Sequence, residues 1–271
     1  MTFDSNRAWQ QAAATIRTNR EVLFALSGVF YLLPMLAFSL LFPQPAPPAG
    51  ADEQAMLQAA AQYYSQTLPI ALPFALFQAG GTLALLTLMT DRARPTVGQA
   101  IRSGFLGMPF YIASQLLFGF AYGLVALVVL GVLGLTGVKA VVSAGILLLI
   151  ALGLYLWVRT SLAAPAVAVE QVRNPWRALA RSWALTRGIG MRVLVFYALI
   201  FLVFLILLSV VMTLLGIVLA LLMPAKPAMI VAAVVSAALQ STMGLTFVSA
   251  LAATHAQLAG EPANLLGATF D

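Results

Sequence analysis

The sequence predicts an all-α polytopic membrane protein with six transmembrane helices. Of its 271 residues, 62% are hydrophobic and only 8% are charged, whereas a soluble domain carries about 25% charged residues. The mean hydropathy is +0.99. The apolar residues form six uncharged runs, each longer than the roughly 18 residues that mark a transmembrane helix. Lipid offers no partner to backbone polar groups, so the runs predict helices, and the alternation of a membrane barrel is missing.

Six spans follow one another along the chain, and all 271 residues are predicted to form one transmembrane domain. The third, fifth and sixth runs are longer than a straight crossing requires, so we expect them to tilt, kink, extend past the bilayer or contain a re-entrant piece. The predicted spans are Val22–Phe42, Leu68–Thr90, Phe105–Thr136, Ala140–Val158, Val193–Met223 and Ala228–Leu258.

The basic residues predict the orientation of the spans. Of 14 lysines and arginines, only Lys139 and Lys226 fall on one side of the predicted membrane. Because basic loops stay in the cytoplasm, we expect both termini in the cytoplasm, the chain in a bacterial cytoplasmic (inner) membrane, and no cleavable signal peptide. The cytoplasmic set is Arg7, Arg17, Arg20, Arg92, Arg94, Arg102, Arg159, Arg173, Arg177, Arg181, Arg187 and Arg192.

Residues 43–67 are predicted to form an extracytoplasmic loop that contains a short helix. Asp52 is a candidate N-cap for that helix, and Tyr63 and Tyr64 are expected near the membrane interface. Four glutamines at intervals of four residues form one polar stripe on it: Gln54, Gln58, Gln62 and Gln66. Four prolines before it favour an extended exit from the first span: Pro43, Pro45, Pro47 and Pro48.

A basic amphipathic segment precedes each pair of spans, and the clearest is Asn174–Trp183. Asn174 is a plausible N-cap and Pro175 a favourable first helical residue. On a helical wheel the basic residues take one face and the apolar residues another, which is typical of a helix lying in the membrane interface. The basic face has Arg173, Arg177 and Arg181, and the apolar face has Trp176, Leu179 and Trp183.

Two other segments resemble this one and predict a threefold repeat. Arg94–Ser103 shares the proline start and an Ala-x-Arg-Ser ending. Asp4–Arg20 places Trp9, Ala12, Ala13 and Ile16 on one helical face. We therefore predict three units, each an interfacial helix followed by a transmembrane hairpin. Their parts are 4–42, 94–158 and 173–258.

Two sets of residues are candidates for binding. The first would contact lipid head groups or the membrane surface and consists of Arg173, Arg177, Arg181, Arg187, Trp176 and Trp183. The arginines of this set could also serve topology alone. The second set, Gln78, Gln115 and Gln240, lies within spans, where these side chains could join helices or line a cavity.

Glycines within the spans predict close helix contacts. Gly80 and Gly81 indicate that a neighbouring helix approaches span two. Gly119 and Gly123 form a GxxxG pattern, which is compatible either with helix contact within the bundle or with a homodimer.

The composition argues against several functions. There are no cysteines, one histidine and eight dispersed carboxylates, so neither a metal ligand set nor an acid–base pair is indicated. We expect no enzyme activity, no metal and no cofactor. His255 is expected at a membrane boundary. The lack of ionisable residues deep within the predicted spans argues against a proton- or sodium-driven pump.

One stretch, Pro165–Gly188, resembles a known family. The residues that carry the resemblance are Glu170, Pro175, Ala178, Arg181, Ser182, Trp183, Leu185, Thr186 and Gly188. They resemble the membrane domain associated with bacterial glycerophosphoryl diester phosphodiesterases, and its stand-alone, uncharacterised multi-span relatives. The ending His255–Gly260 is similar to an aromatic-x-x-Leu-x-Gly ending, with His255 in place of the aromatic. The resemblance implies a six-span plan and supplies no catalytic or binding residues, and the phosphodiesterase domain itself is not present in this chain.

These observations favour a non-enzymatic membrane module that binds membrane lipids, anionic ones included, or a partner membrane protein. The alternative is a transporter or flippase for an apolar or amphiphilic solute, which the repeated hairpins and mid-span glutamines motivate. A membrane enzyme ranks below both. A homodimer is compatible with the sequence, and the arginines between apolar runs indicate the membrane surface and no nucleic acid as their partner.

Overall fold

The computed structural model describes residues 3–43, 52–90 and 95–260, and within these ranges the fold is all-α. Pro45, Pro47, Pro48, Arg92, Arg94 and the residues after Gly260 lie outside the described residues. The elements are α1 (Ser5–Thr18), α2 (Arg20–Ser27), a π-helical segment (Gly28–Leu32), α3 (Leu33–Leu41), α4 (Glu53–Thr90), α5 (Val97–Gly134), α6 (Lys139–Thr160), α7 (Ala163–Ala168), α8 (Pro175–Leu185), α9 (Gly190–Leu222) and α10 (Ala225–Ala259).

Six helical stretches are long and apolar enough to cross a bilayer, and each predicted run falls on one of them. The chain is therefore a multi-pass membrane protein, which confirms the fold class. The stretches are Arg20–Leu41, Gln54–Thr90, Val97–Gly134, Lys139–Ala168, Gly190–Leu222 and Ala225–Ala259.

The first span contains a π-helical segment just before Pro34. Proline lacks an N–H and its ring crowds the preceding turn, so a regular α-helix is disturbed there. The backbone N–H of Leu33 bonds to the carbonyl of Gly28, five residues earlier. The wider turn thus accommodates the proline without ending the span.

The long apolar runs form unbroken helices. α4 and α5 each have 38 residues, which corresponds to about 57 Å against a hydrocarbon core of about 30 Å. The fifth and sixth runs also lie within single helices, α9 and α10. The short helix predicted before span two is continuous with it in α4, and the Asp52 carboxylate accepts a bond from the Ala55 N–H at 2.8 Å.

The second basic segment also differs from its predicted form. The Thr96 side chain and Gln99 form a capping box, and α5 then continues into the third span without a break. No proline or exposed turn separates Ser103 from Phe105, so the segment forms the first turns of α5 and not a separate helix. The threefold repeat itself stays a prediction.

Glycines bring α4 and α5 together as the most extensively packed pair of helices. A Cβ atom at Gly104 would lie 2.5 Å from the Ala84 backbone nitrogen and 2.7 Å from the Gly80 carbonyl oxygen. Gly81 faces the ring of Phe30 at similarly close range. The predicted close approach at Gly80 and Gly81 is confirmed, because the backbone of α5 at Gly104 reaches the Gly80 carbonyl and the Phe30 ring packs against Gly81.

The other glycine pattern behaves differently. A Cβ atom at Gly119 or at Gly123 would meet nothing within 4 Å. Phe120 between them is 74% exposed. Within the described residues, the GxxxG positions of α5 are therefore open and do not pack against another span.

Packing is densest at one end of the bundle, where α1, α7 and α8 lie. α7 is buried along its whole length, and α10 is buried over most of its last fifteen residues. α1 packs mainly against α10, and its buried residues are Ala8, Ala12 and Thr15, while Trp9 of the predicted apolar face is 45% exposed. This end positions the polar groups described next.

Replacing Gly104 tests the contact between α4 and α5. Gly104→Ala should lower stability by about 1–3 kcal/mol, because the backbone of α4 must move to admit the methyl group. Gly119→Ala is the matched control in the same helix, where the methyl group meets open space. Thermal unfolding of the two detergent-solubilised variants measures the difference, and equal melting temperatures would contradict this packing.

Candidate functional site

A carboxylate links the interior of the bundle to its surface. Glu170 accepts a bond from Arg181 Nε at 2.8 Å through Oε2 and at 3.0 Å through Oε1. His255 Nε2 lies 3.0 Å from Glu170 Oε1. The His255 side chain is 0% exposed, that of Glu170 is 24% and that of Arg181 is 42%. The series His255–Glu170–Arg181 thus runs from the core outward, and His255, expected at a membrane boundary, is fully buried within the protein near the end of α10.

The local sequence explains how Glu170 reaches this position. After α7, Gln171 has a φ of 56°, a left-handed conformation that is uncommon outside glycine. The Val172 N–H bonds back to the Ala166 carbonyl at 3.2 Å, which closes the turn. The Gln171 amide also lies 3.5 Å from Ser103 Oγ of α5. The chain therefore reverses immediately after Glu170 and leads into α8.

α8 begins as the sequence predicts. The Asn174 side chain accepts a bond from the Arg177 N–H at 3.1 Å, and Pro175 is the first helical residue. Ala178 and Ser182 are the buried residues of the helix, so small side chains let it lie close to the bundle. The two tryptophans stay outside, with Trp176 69% and Trp183 45% exposed.

Arg181 is held in a way that leaves most of its donors available. Among the described residues, only its Nε donates a hydrogen bond, and both acceptors are oxygens of Glu170. A guanidinium carries five N–H donors in a fixed planar fork. The Glu170 carboxylate therefore orients Arg181 while its terminal nitrogens remain free to bind an anion in bidentate geometry.

Arg159 has a different role from the other basic residues of its loop. It is 5% exposed, and its Nη1 donates to the Thr186 carbonyl at 2.7 Å. Its guanidinium carbon lies 4.2 Å from the centroid of the Trp183 ring, a cation–π geometry. Ser182 Oγ donates to the Arg159 carbonyl at 2.8 Å. Arg159, expected in the basic surface loop, instead joins the end of α6 to α8.

The electrostatics of Glu170 follow from its partners. The hydrogen bond from His255 is the largest influence, and together with the bond and the charge of Arg181 it outweighs burial. These contacts lower the pKa of the Glu170 carboxyl from 4.5 to about 2. Glu170 is therefore ionised over the physiological pH range and carries a fixed negative charge.

A cavity of about 610 Å³ opens beside this carboxylate. Its charged lining groups are Glu170 and three arginines, Arg173, Arg177 and Arg181, and Gln171, Val172 and Asn174 complete the lining. Arg173 and Arg177 are exposed and form no ion pair within the described part of the chain. The structure thus brings together three of the four predicted head-group arginines.

The fourth predicted arginine lies in a neighbouring cavity. This cavity of about 250 Å³ is lined by Arg181, Ala184, Leu185, Arg187, Ile189 and Leu258. Arg181 therefore lines both cavities.

Two of the three mid-span glutamines bond within their own helices. The Gln115 amide donates to the Tyr111 hydroxyl at 2.9 Å, and the Gln240 amide donates to Ser236 Oγ at 2.9 Å, so both bonds stay within one helix. Gln78 is half-buried. Polar contacts between spans include the Ser27–Ser241 pair at 2.8 Å, the Tyr31–Thr82 pair at 2.7 Å and the bond from the Tyr122 hydroxyl to the Leu149 carbonyl at 2.6 Å.

Sequence reasoning missed two members of the buried series, Glu170 and His255, as interacting residues. The signal that could have found them was the resemblance, which includes both Glu170 and the position of His255. Across residues 3–43, 52–90 and 95–260, no group of three His, Asp or Glu side chains is placed to hold a metal ion.

Comparison with known proteins finds no match to this chain among family models, curated proteins or solved structures.

The lowered pKa of Glu170 predicts an acid-dependent loss of stability. A carboxylate whose folded-state pKa is depressed stabilises the protein above its unfolded pKa of 4.5, and that contribution is lost as the pH falls towards about 2. Glu170→Gln should be less stable at pH 7 by about 1–3 kcal/mol, because a buried histidine loses its ionic partner. It should also lose less stability than the wild type between pH 5 and pH 2.

Thermal unfolding in detergent across this pH range measures both effects. Glu21→Gln is the matched control, since Glu21 is an exposed carboxylate without an ion pair in the described residues. It should follow the wild-type curve. A Glu170→Gln variant as stable as the wild type at pH 7 would contradict the structural role of this carboxylate.

Proposed function

We propose that this chain is a non-enzymatic protein of the bacterial inner membrane that binds phosphate-bearing anionic lipid head groups at its cytoplasmic face. The observation that carries the proposal is the 610 Å³ cavity lined by Arg173, Arg177 and Arg181. Guanidinium groups bind phosphate oxygens in bidentate geometry, and Glu170 orients one of the three.

The position of α8 supports a lipid as the ligand. Its buried residues, Ala178 and Ser182, face the bundle, while Trp176 and Trp183 are exposed beside the cavity-lining arginines. Tryptophan side chains favour the head-group region of a bilayer. With the tryptophans at that depth, α8 serves as an amphipathic interfacial helix and the arginines reach the phosphates.

Orientation enters the proposal through the distribution of charge. The segment between spans four and five carries Arg173, Arg177, Arg181 and Arg187, and basic loops are retained in the cytoplasm. With six spans, both termini then lie on that side. The cavity faces the leaflet whose anionic lipids attract basic protein segments.

The proposed relationship to the membrane domain associated with glycerophosphoryl diester phosphodiesterases gains a physical rationale. The residues that carry the resemblance include Glu170, Arg181, Ser182, Trp183 and Thr186, and these contact one another or Arg159. A motif that builds one polar cluster is more informative than scattered identities. The transporter alternative has less support, because Gln115 and Gln240 bond within their own helices.

Substitution of the cavity arginines tests the proposed lipid binding. Arg177→Gln and Arg173→Gln should each weaken binding to phosphatidylglycerol about fivefold, since one basic residue near an anionic surface contributes about 1 kcal/mol. Co-flotation with vesicles of phosphatidylcholine containing increasing phosphatidylglycerol measures the effect.

Arg192→Gln is the matched control for these variants. It removes the same charge from an exposed arginine that does not line the cavity, and it should bind like the wild type. Equal weakening in all three variants would indicate general surface charge and not this cavity. Wild-type protein without any preference for phosphatidylglycerol over phosphatidylcholine would refute the proposal.

Reporter fusions test the proposed orientation. A reporter after Asp271 should be active only as a cytoplasmic fusion, because an even number of spans separates the two termini. A reporter inserted near Ala49 should be active only as an extracytoplasmic fusion, because one span separates Ala49 from the N-terminus. Paired alkaline phosphatase and fluorescent protein fusions measure this. The reverse activity at either position would overturn the orientation.

A further inference from the structure

We infer that the cavity lined by Arg173, Arg177, Arg181 and Glu170 selects lipid head groups that carry two negative charges over those that carry one. This inference rests on the proposed function, since it names the class of ligand that the same cavity prefers. It comes from the charge balance of the lining and from the free donors that face it.

The charge balance is set by Glu170. Three guanidinium groups and one carboxylate line the cavity, and Gln171, Val172 and Asn174 are uncharged. Both Glu170 oxygens are occupied by Arg181 and His255, so the carboxylate remains in place as a counter-charge. The lining therefore carries a net charge of two positive units. A singly charged head group leaves one unit uncompensated, whereas a doubly charged one balances it.

The donors are arranged to contact more than one phosphate oxygen. Arg173 and Arg177 form no ion pair within the described residues, and Arg181 has its terminal nitrogens free. Arg177 and Arg181 are four residues apart in one helix, which corresponds to a rise of about 6 Å. Two arginines on successive turns that line the same cavity can bind either one doubly ionised phosphate or two linked phosphates.

The size of the cavity fits a head group better than a lone ion. Its volume is about 610 Å³, within the roughly 300–1,000 Å³ typical of small-molecule sites. The exposed Trp176 and Trp183 on the same helix place the opening at the membrane surface under the proposed function. A lipid whose head group enters the cavity can therefore keep its acyl chains in the bilayer.

Two lipid classes carry the required charge, and a direct binding experiment distinguishes them. The full chain in detergent is titrated with short-chain phosphatidate, cardiolipin, phosphatidylglycerol and phosphatidylcholine, and binding is followed by calorimetry. Phosphatidate and cardiolipin should bind about fivefold more tightly than phosphatidylglycerol, the effect expected for one additional compensated charge. If only one of the two binds more tightly, the inference holds and the ligand is narrowed to a phosphomonoester or to a pair of phosphodiesters.

A pH series supplies an independent readout. The second ionisation of a phosphomonoester lies near pH 6, so phosphatidate gains most of its second charge between about pH 5 and pH 7. Its affinity relative to phosphatidylglycerol should rise over that range, while the cardiolipin ratio stays constant. A phosphatidate ratio that does not change with pH would contradict selection by charge.

Variants connect the preference to the cavity. Arg177→Gln leaves the lining with a net charge of one positive unit. The variant should therefore bind doubly and singly charged lipids with about equal affinity. Arg192→Gln should retain the fivefold advantage. If the wild type binds all three anionic lipids equally but more tightly than phosphatidylcholine, this inference fails and the proposed function stands. If it binds none of them more tightly than phosphatidylcholine, both fail.

Discussion

The contact of the Glu170 carboxylate with His255 on one side and Arg181 on the other connects the last span to the surface helix. A charge beside the core is costly unless it is paired and hydrogen-bonded. Here both oxygens of Glu170 have partners, and the fully buried His255 fixes the carboxylate from within. That arrangement determines the position of α8, the shape of the adjacent cavity and the orientation of the Arg181 guanidinium group.

Small residues make the arrangement possible. Ala178 and Ser182 let α8 approach the bundle, and Gly190 makes room for Arg159, whose Cδ would lie 3.0 Å from a Cβ at that position. Gly104 does the same between α4 and α5. In lipid, the burial of apolar surface contributes little to helix association. Close packing at small residues and hydrogen bonds between helices therefore stabilise the bundle. The polar end is thus also the best-packed end.

The sequence predicted the six spans and the start of α8 well, because both depend on short-range patterns. Hydropathy reports that a run such as that in α9 prefers lipid, and Asn174-Pro175 marks a helix start wherever it occurs. The burial of Arg159 and the pairing of Glu170 with His255 were not predictable in this way. The latter two residues are 85 positions apart, and an arginine at the end of a span gives the same topology signal whether it faces water or Trp183.

The buried Arg159 has a consequence for the order in which the protein assembles. Alone in a bilayer, α6 would extend this side chain towards the head groups, where water and phosphate solvate the guanidinium. In the folded protein the Thr186 carbonyl and the Trp183 ring take over part of that solvation, and both follow α6 in the chain. The fourth span therefore reaches its final environment only after the segment through Thr186 has been synthesised. Maturation of the membrane bundle consequently waits on a helix of 11 residues, which is too short to cross the membrane.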